Sequence, residues 1–246
     1  MSATTERPII EIENLVKAYG FLPVLKQLSL TVQRGQFIAL LGPNGSGKST
    51  LLRLLSGLSK PSSGLMRIGG WEIPTEAQQI RAQIGMVSHK SLLYENLTAR
   101  ENLLFFGSLY GITKADCATR SDDLLKRVGL KKRSHSLVRT FSRGMQQRLS
   151  IARALLPDPH VLLFDEPYTG LDQDAGNVLD DLLREAHADG HTILMATHQI
   201  ERAASLADRV VILSRGVVAY DAPMQDVSSG QLPNLYAEVT GKVTSK

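Results

Sequence analysis

The chain has 246 residues, 43% of them hydrophobic and 21% charged, with a net charge of +4 at neutral pH. These values are typical of a globular protein, and so small a positive excess does not argue for nucleic acid, which we do not expect as a partner. No apolar run approaches the roughly 20 residues of a membrane span. The polar N-terminus has no apolar core, so we expect no signal peptide. The single cysteine, Cys117, excludes an intrachain disulfide.

The sequence patterns of the first third of the chain predict β-strands. Apolar and polar residues alternate over 10–13 and 28–32, which predicts strands with one wet face, and the apolar run 37–41 predicts a buried parallel strand. Between the first two lies Tyr19, whose flat ring could stack on an adenine or could be an ordinary aromatic at a strand end. Its position alone favours neither reading.

A glycine-rich segment follows the buried strand and precedes a helical pattern. It matches G-x-x-x-x-G-K-[ST], in which inward-pointing amides and a helix N-terminus bind phosphates. In that pattern Lys48 reaches the β- and γ-phosphates of a nucleotide and the Ser49 hydroxyl holds Mg²⁺. We therefore predict ATP and Mg²⁺ as ligands. The predicted loop comprises Gly42, Pro43, Asn44, Gly45, Ser46, Gly47, Lys48, Ser49 and Thr50.

The middle of the chain changes to helical periodicity. After short predicted strands at 65–68 and 84–87, residues 90–157 read as a helical insertion, with Thr98 and Glu101 spaced as a capping box. Ser142 opens a later helix, and its third position is Met145 rather than a glutamate. Together with Gly144, this leaves an open anion site at a helix N-terminus. Because it is expected far from the phosphate loop of its own chain, it would bind a phosphate held by another copy.

The α/β pattern resumes with a buried strand at 161–164 that ends in Asp165 and Glu166. At such a strand end Asp165 can face Mg²⁺ and Glu166 can orient a water for attack on the γ-phosphate. His198 follows the next strand, so it could reach the same edge and hold the water or Glu166 in place. A hairpin pattern comes next, and residues 228–246 form a polar tail with a short helix around 232–239.

Together these residues resemble the ATP-binding cassette, the ATPase module of ABC transporters, over about residues 9–221. The resemblance implies an α/β fold with a P-loop (RecA-like) core at about 1–89 and 158–227, an antiparallel β part, an inserted helical subdomain at about 90–157 and a tail at 228–246. The matching positions occur in the family's order. Tyr19 corresponds to the aromatic residue that stacks on adenine, 42–50 to Walker A, and Ser142, Arg143, Gly144 and Met145 to the signature that contacts ATP in trans. Asp165 and Glu166 correspond to Walker B, Asp172 to the D-loop and His198 to the switch histidine.

Two departures from the family pattern concern the site itself. Arg143 and Met145 stand where the signature usually has glycine and glutamine, which implies a working but retuned signature. His89 stands where the family usually has a glutamine that contacts Mg²⁺ and water. An imidazole is shorter and titratable, so we expect hydrolysis to weaken on the acid side, unless His89 only packs in the hinge.

The resemblance implies an ATPase subunit that drives export through a separate membrane subunit, at the cytoplasmic face of the membrane, and that forms a homodimer around ATP. The segments 88–94, 97–103 and 141–148 look most like the haem-exporter subunit of cytochrome c maturation, although drug and polysaccharide exporters share much of them. The alternative is a non-transport cassette ATPase, such as an iron–sulfur assembly scaffold. The transported substrate cannot be read from this chain.

Overall fold

The structure is a computed structural model that describes residues 7–88, 91–227 and 230–241. Within these residues, the strands are β1 (Ile10–Tyr19), β2 (Leu22–Val32), β3 (Phe37–Leu41), β4 (Ser63–Ile68), β5 (Trp71–Glu72), β6 (Ile84–Val87), β7 (Val161–Asp165), β8 (Thr192–Ala196), β9 (Arg209–Ser214) and β10 (Val217–Pro223). The α-helices are α1 (Lys48–Leu55), α2 (Ala77–Ala82), α3 (Ala99–Leu109), α4 (Lys114–Arg127), α5 (Arg143–Leu155), α6 (Gln173–Ala188), α7 (Ile200–Leu206) and α8 (Leu232–Thr240).

The central sheet has six strands in the order β10-β9-β3-β8-β7-β6. All neighbouring pairs are parallel except the β9–β10 hairpin. Every residue of β3, β7 and β8 is buried, as their apolar sequences predict for strands covered on both faces. Because these three strands are parallel neighbours, the segments that follow Leu41, Asp165 and Ala196 leave the sheet at one edge, where α/β folds bind ligands.

A second, antiparallel sheet has the order β2-β1-β4-β5. Its first two strands form a hairpin that is longer than the alternating segments predict. Asn14 and Gln27 adopt positive φ angles, and the register between the two strands shifts at several points. Such irregularities break the period-two pattern by which a strand is found in a sequence. The hairpin continues to its turn, so Tyr19 is paired with Leu22 at its end.

The described residues between β6 and β7 hold three α-helices. The predicted capping box is present, because the Glu101 amide donates to Thr98 Oγ1 at 3.2 Å and the Thr98 amide donates to Glu101 Oε2 at 2.8 Å. The helical pattern from 98 to 130 divides into α3 and α4. Gly111, with φ of 73°, turns the chain between them, and the Thr113 side chain caps the second helix.

Buried Arg153 connects α5 to the chain that leaves β6. Its guanidinium donates to the carbonyl oxygens of Met86 at 3.1 Å, Ser91 at 3.1 Å and Leu92 at 2.9 Å. Burial lowers the pKa of Arg153 from its ordinary value. These bonds hold both sides of the segment that contains His89, which itself lies outside the described residues. No described helix combines the length and the hydropathy needed to span a membrane.

Candidate active site

The loop between β3 and α1 can form only with glycine at two of its positions. Gly42 and Gly47 have φ angles of 153° and 108°. A Cβ at Gly42 would lie 2.4 Å from the Leu213 carbonyl oxygen, and one at Gly47 would lie 2.5 Å from Leu25 Cδ2. The loop backbone therefore packs directly against Leu213 and Leu25, where no side chain would fit, and without side chains at these two positions it can approach a ligand closely.

Two buried polar side chains sit in this loop. Lys48 is 6% exposed, and its ammonium donates to the carbonyl oxygens of Gly42 at 2.7 Å and Pro43 at 3.4 Å. The hydroxyl of Ser46 is buried and has no hydrogen-bond partner among the described residues. A buried cation and an unsatisfied hydroxyl at a helix N-terminus fit the phosphates of a nucleotide.

Ser49 and Asp165 meet across the gap between α1 and β7. The Ser49 hydroxyl donates to Asp165 Oδ1 at 2.8 Å, and Asp165 is 5% exposed. Hydroxyl and carboxylate oxygens are the ligands that Mg²⁺ takes beside nucleotide phosphates. The donor set at this position therefore fits Mg²⁺.

Glu166 connects the loop after β7 with the loop after β8. Its Oε2 lies 2.7 Å from His198 Nδ1, and its Oε1 lies 4.0 Å from Lys48 Nζ. Its amide donates to the Ala196 carbonyl oxygen at 2.9 Å. The sequence predicted Glu166 and His198 at one sheet edge, and the structure brings their side chains into contact. A carboxylate held between an ammonium and an imidazole can polarise a water, while the imidazole supports the carboxylate.

Glu166 and His198 line a cavity of about 580 Å³ together with Gly42, Pro43 and Asn44 of the phosphate loop, Thr169 and Tyr236. Sequence reasoning missed Thr169 and Tyr236. Tyr236 lies on α8, in the tail that the sequence left without a function, and no motif connects it to residues so far away in the chain. Burial and the nearby Glu166 carboxylate raise the pKa of the Tyr236 phenol, so it keeps its proton at neutral pH.

Tyr19 is half exposed at the end of the β1–β2 hairpin, with Lys17 Nζ 4.9 Å from its ring centroid. The same hairpin approaches the phosphate loop, because the Val24 carbonyl oxygen lies 3.4 Å from a Cβ built at Gly47. The ring is therefore presented to solvent on the sheet that adjoins the loop. This position fits both interpretations of Tyr19, a ring that stacks on adenine and an ordinary aromatic residue at a strand end.

Three of the four residues predicted to act in trans, Ser142, Arg143 and Gly144, line a separate cavity of about 330 Å³, which shares no lining residue with the phosphate cavity. The fourth, Met145, does not line it and packs against the hydrophobic core instead. Ser142 is the N-cap of α5, and its hydroxyl accepts a hydrogen bond from the Met145 amide at 3.3 Å. Asp172 is the N-cap of α6, and its carboxylate accepts a hydrogen bond from the Ala175 amide at 2.8 Å. The Arg143 guanidinium lies over Gly170, where an added Cβ would be 2.7 Å from it, and an added Cβ at Gly144 would be 3.0 Å from the Ala175 side chain.

A scan against protein-family models matches residues 25–169 to the family described as "ABC transporter". The chain belongs to the ABC transporter family. It is an ATP-binding cassette, and cassettes of this family are ATPases. The predicted fold class is confirmed by a solved "ATP binding subunit of ABC transporter", which is 32% identical, has a TM-score of 0.85, and is covered over 99% of its length by 94% of this chain.

Similarity to curated proteins indicates the same family. The cassette is 36% identical over 208 residues to the linearmycin resistance ATP-binding protein LnrL of Bacillus subtilis, with 85% of this chain matching 67% of that protein. It is 41% identical over 209 residues to the Nod factor export ATP-binding protein I of Ralstonia nicotianae, with 85% of this chain matching 65% of that protein. The chain thus spans about two thirds of the length of these two relatives. A dimeric bacterial cassette, MJ0796, is 30% identical with a TM-score of 0.80, and 87% of this chain covers 98% of it.

Proposed function

We propose that this cassette hydrolyses ATP to power export through a separate membrane subunit. The observation that carries the hydrolytic part is the Glu166 carboxylate, 2.7 Å from His198 and 4.0 Å from the buried Lys48 at the mouth of the phosphate loop. The export part rests on the relatives, whose names describe linearmycin resistance and Nod factor export.

The loop residues 42–50 would bind the phosphates through their amides, with Lys48 beside the β- and γ-phosphates. Ser49 and Asp165 would hold Mg²⁺, which when bound neutralises charge that develops on the phosphates. Glu166 would orient and polarise the attacking water, and His198 would keep the Glu166 carboxylate in place. Tyr19 would stack on the adenine.

The second half of each site would come from another copy of the chain. The Ser142 loop places the N-terminus of α5, where the Ser142 hydroxyl caps the Met145 amide, in a cavity apart from the phosphate loop. This separation, and the dimeric form of the MJ0796 cassette, support a head-to-tail homodimer in which the Ser142 loop of one copy meets ATP on the other. Asp172 lines the same cavity as Ser142, so it would face the same junction.

The helical segment 90–157 would bind the membrane subunit and hold the chain at the cytoplasmic face of the membrane. It bears an exposed apolar patch, defined here as Leu92, Tyr94, Phe105, Leu109 and Tyr110. Tyr94 and Phe105 stack edge to face with their ring centroids 4.8 Å apart. Exposed apolar patches of this kind mark protein interaction sites. Leu92 in the patch comes three residues after His89 in the sequence, and His89 stands on the loop that senses the membrane subunit in this family.

A pair of leucines tests this docking surface. Leu109 in the patch is 66% exposed, and Leu58 after α1 is 70% exposed, so a glutamate replaces a leucine of similar exposure in both variants. We expect Leu109→Glu to lose co-purification with a multi-span protein from detergent-solubilised membranes of the source organism, while Leu58→Glu keeps it. Equal recovery with both variants would remove the patch from this role. If the unmodified chain recovers no membrane protein, a scaffold function without transport becomes the better reading.

For the exported substrate we propose an organic molecule, with haem as one candidate on the strength of the resemblance at 88–94, 97–103 and 141–148. The names of the relatives support drug and Nod factor export instead. A deletion strain separates these readings. Loss of c-type cytochromes would support haem, and a change in drug sensitivity with normal cytochromes would exclude it.

A further inference from the structure

Three polar side chains contact one another next to the loops that carry Glu166 and His198. The Tyr168 hydroxyl donates to Asp180 Oδ1 at 2.6 Å, and the Arg202 guanidinium forms an ion pair with the other oxygen of the same carboxylate. The Arg202 guanidinium also lies 5.0 Å from the Tyr168 ring centroid. These three residues, which we name the Tyr168 cluster, therefore contact one another pairwise.

The Tyr168 cluster connects three segments that bear proposed site residues. Tyr168 comes two residues after Glu166, Arg202 lies on α7 four residues after His198, and Asp180 lies on α6, which begins after Asp172. Asp180, Arg202 and His198 also line one cavity of about 660 Å³. A change in the cluster would therefore shift the loops on which Glu166 and His198 are carried.

The cluster is mostly shielded from solvent. Tyr168 and Asp180 are buried, and the Arg202 side chain is 16% exposed. A Cβ at Gly176 would lie 2.6 Å from a nitrogen of Arg202, so the guanidinium fills the space above that glycine. Burial and hydrogen bonding to Asp180 raise the pKa of Tyr168, which keeps its phenol protonated as the donor to Asp180. Groups packed in this way have a single arrangement.

Glu166 needs support of this kind because its own backbone is strained. It has a φ of 52°, in the left-handed region that side chains other than glycine rarely adopt. Such a conformation persists only where neighbouring structure holds it. Backbone hydrogen bonds with Ala196 and Thr169 hold Glu166 at two points, and the two residues that follow it, Pro167 and Tyr168, are both buried. His198 is 62% exposed at its side chain, with Glu166 as its hydrogen-bond partner.

We propose that Tyr168, Asp180 and Arg202 are positioning residues that keep Glu166 and His198 in hydrogen-bond contact during ATP hydrolysis. None of the three lines the phosphate cavity, so they act through Glu166 and His198 and not on ATP. The inference rests on the proposed roles of these two residues.

Tyr168→Phe tests the inference with the loss of one hydroxyl. Tyr220→Phe is the matched control, because Tyr220 is half-buried on β10, away from the cluster. We expect Tyr168→Phe to lower kcat for Mg-ATP about tenfold and to change KM less than about twofold, because misplacement affects the reaction step and not phosphate binding. Asp180→Asn should likewise lower kcat while changing KM little, and Arg202→Lys should retain more activity than Arg202→Ala.

A double-mutant cycle separates positioning from general stability. If the cluster works through His198, Tyr168→Phe should lower the residual single-turnover rate of the His198→Ala chain by less than about twofold, although it costs about tenfold in the unmodified chain. Equal factors in both backgrounds would overturn the inference and leave the cluster a structural role.

A last control keeps the inference distinct from the proposed function. If Glu166→Gln hydrolyses ATP normally, the proposed role of Glu166 fails, and the inference that rests on it fails too. If Glu166→Gln is inactive while Tyr168→Phe behaves like Tyr220→Phe, the proposed function stands and the positioning role of the cluster is overturned.

Discussion

At the scale of single residues, Glu166 combines a strained backbone with an ammonium and an imidazole as side-chain neighbours. Its left-handed φ of 52° turns the carboxylate away from the end of β7 towards Lys48 and His198. Asp165, one residue earlier, points to Ser49 instead. The turn between them gives two adjacent carboxylates different partners, one suited to Mg²⁺ and the other to a water.

We expect Glu166→Gln to lower kcat by about 10²–10⁴-fold, because an amide cannot act as the base that polarises the water. ATP binding should persist, since the phosphates are held by the glycine-rich loop and Lys48. Phosphate release measures the first effect and equilibrium binding of ATP the second. The exposed Glu13 on β1 provides the control, and Glu13→Gln should match the unmodified chain. Normal turnover by Glu166→Gln would remove this residue from the reaction.

At the scale of elements, the C-terminal helix α8 belongs to the active-site wall. Its first residue, Leu232, is completely buried, and Leu235, Tyr236 and Val239 pack against the core that covers β9. This packing holds Tyr236 beside Glu166, in the cavity formed by the phosphate loop. The tail thus contributes one large side chain to a site whose other parts come from the central sheet.

We expect Tyr236→Ala to open the cavity and to raise KM for ATP about fivefold, corresponding to about 1 kcal/mol of lost binding free energy. It should also lower the free energy of unfolding by about 1–3 kcal/mol, because a partly buried ring is removed. Tyr236→Phe keeps the ring and should change neither value much, and Asn234→Ala on the exposed face of α8 serves as the control. A Tyr236→Ala chain with unchanged KM would show that α8 only caps the core.

At the scale of the whole molecule, the two groups of residues that we propose to share one ATP line different cavities of one chain. The phosphate loop and Glu166 line one, and the Ser142 loop with Asp172 lines the other. Because the two cavities share no lining residue, we propose that the two groups reach one ATP from two copies of the chain. Two copies related by a twofold axis can form two complete sites at once.

We expect Lys48→Ala and Ser142→Arg chains to be inactive separately and to recover up to about a quarter of full activity when mixed in equal amounts, because half of the random dimers then hold one intact site. The Glu166→Gln chain should sediment as a dimer with Mg-ATP and as a monomer without it. A mixture with no activity, together with monomeric sedimentation in the presence of the membrane subunit, would contradict the shared site.

The sequence alone was enough to predict the phosphate loop, the strands before Asp165 and His198, the Thr98 capping box and the helix that Ser142 caps. Each is encoded by neighbouring residues: a glycine pattern, a buried apolar run or a capping residue at a set spacing. The family, and with it the ATPase activity, followed from the same local signals in their order along the chain.

Only the tertiary structure decided which distant residues share a site. Tyr236 lies 70 positions after Glu166, and Arg202 lies 34 positions after Tyr168, yet each pair is brought together by packing between elements. The bulges at Asn14 and Gln27 likewise concealed the full length of the β1–β2 hairpin. A periodic pattern records which face of an element is buried, but not which element covers it, and that choice depends on the free energy of the whole packed chain.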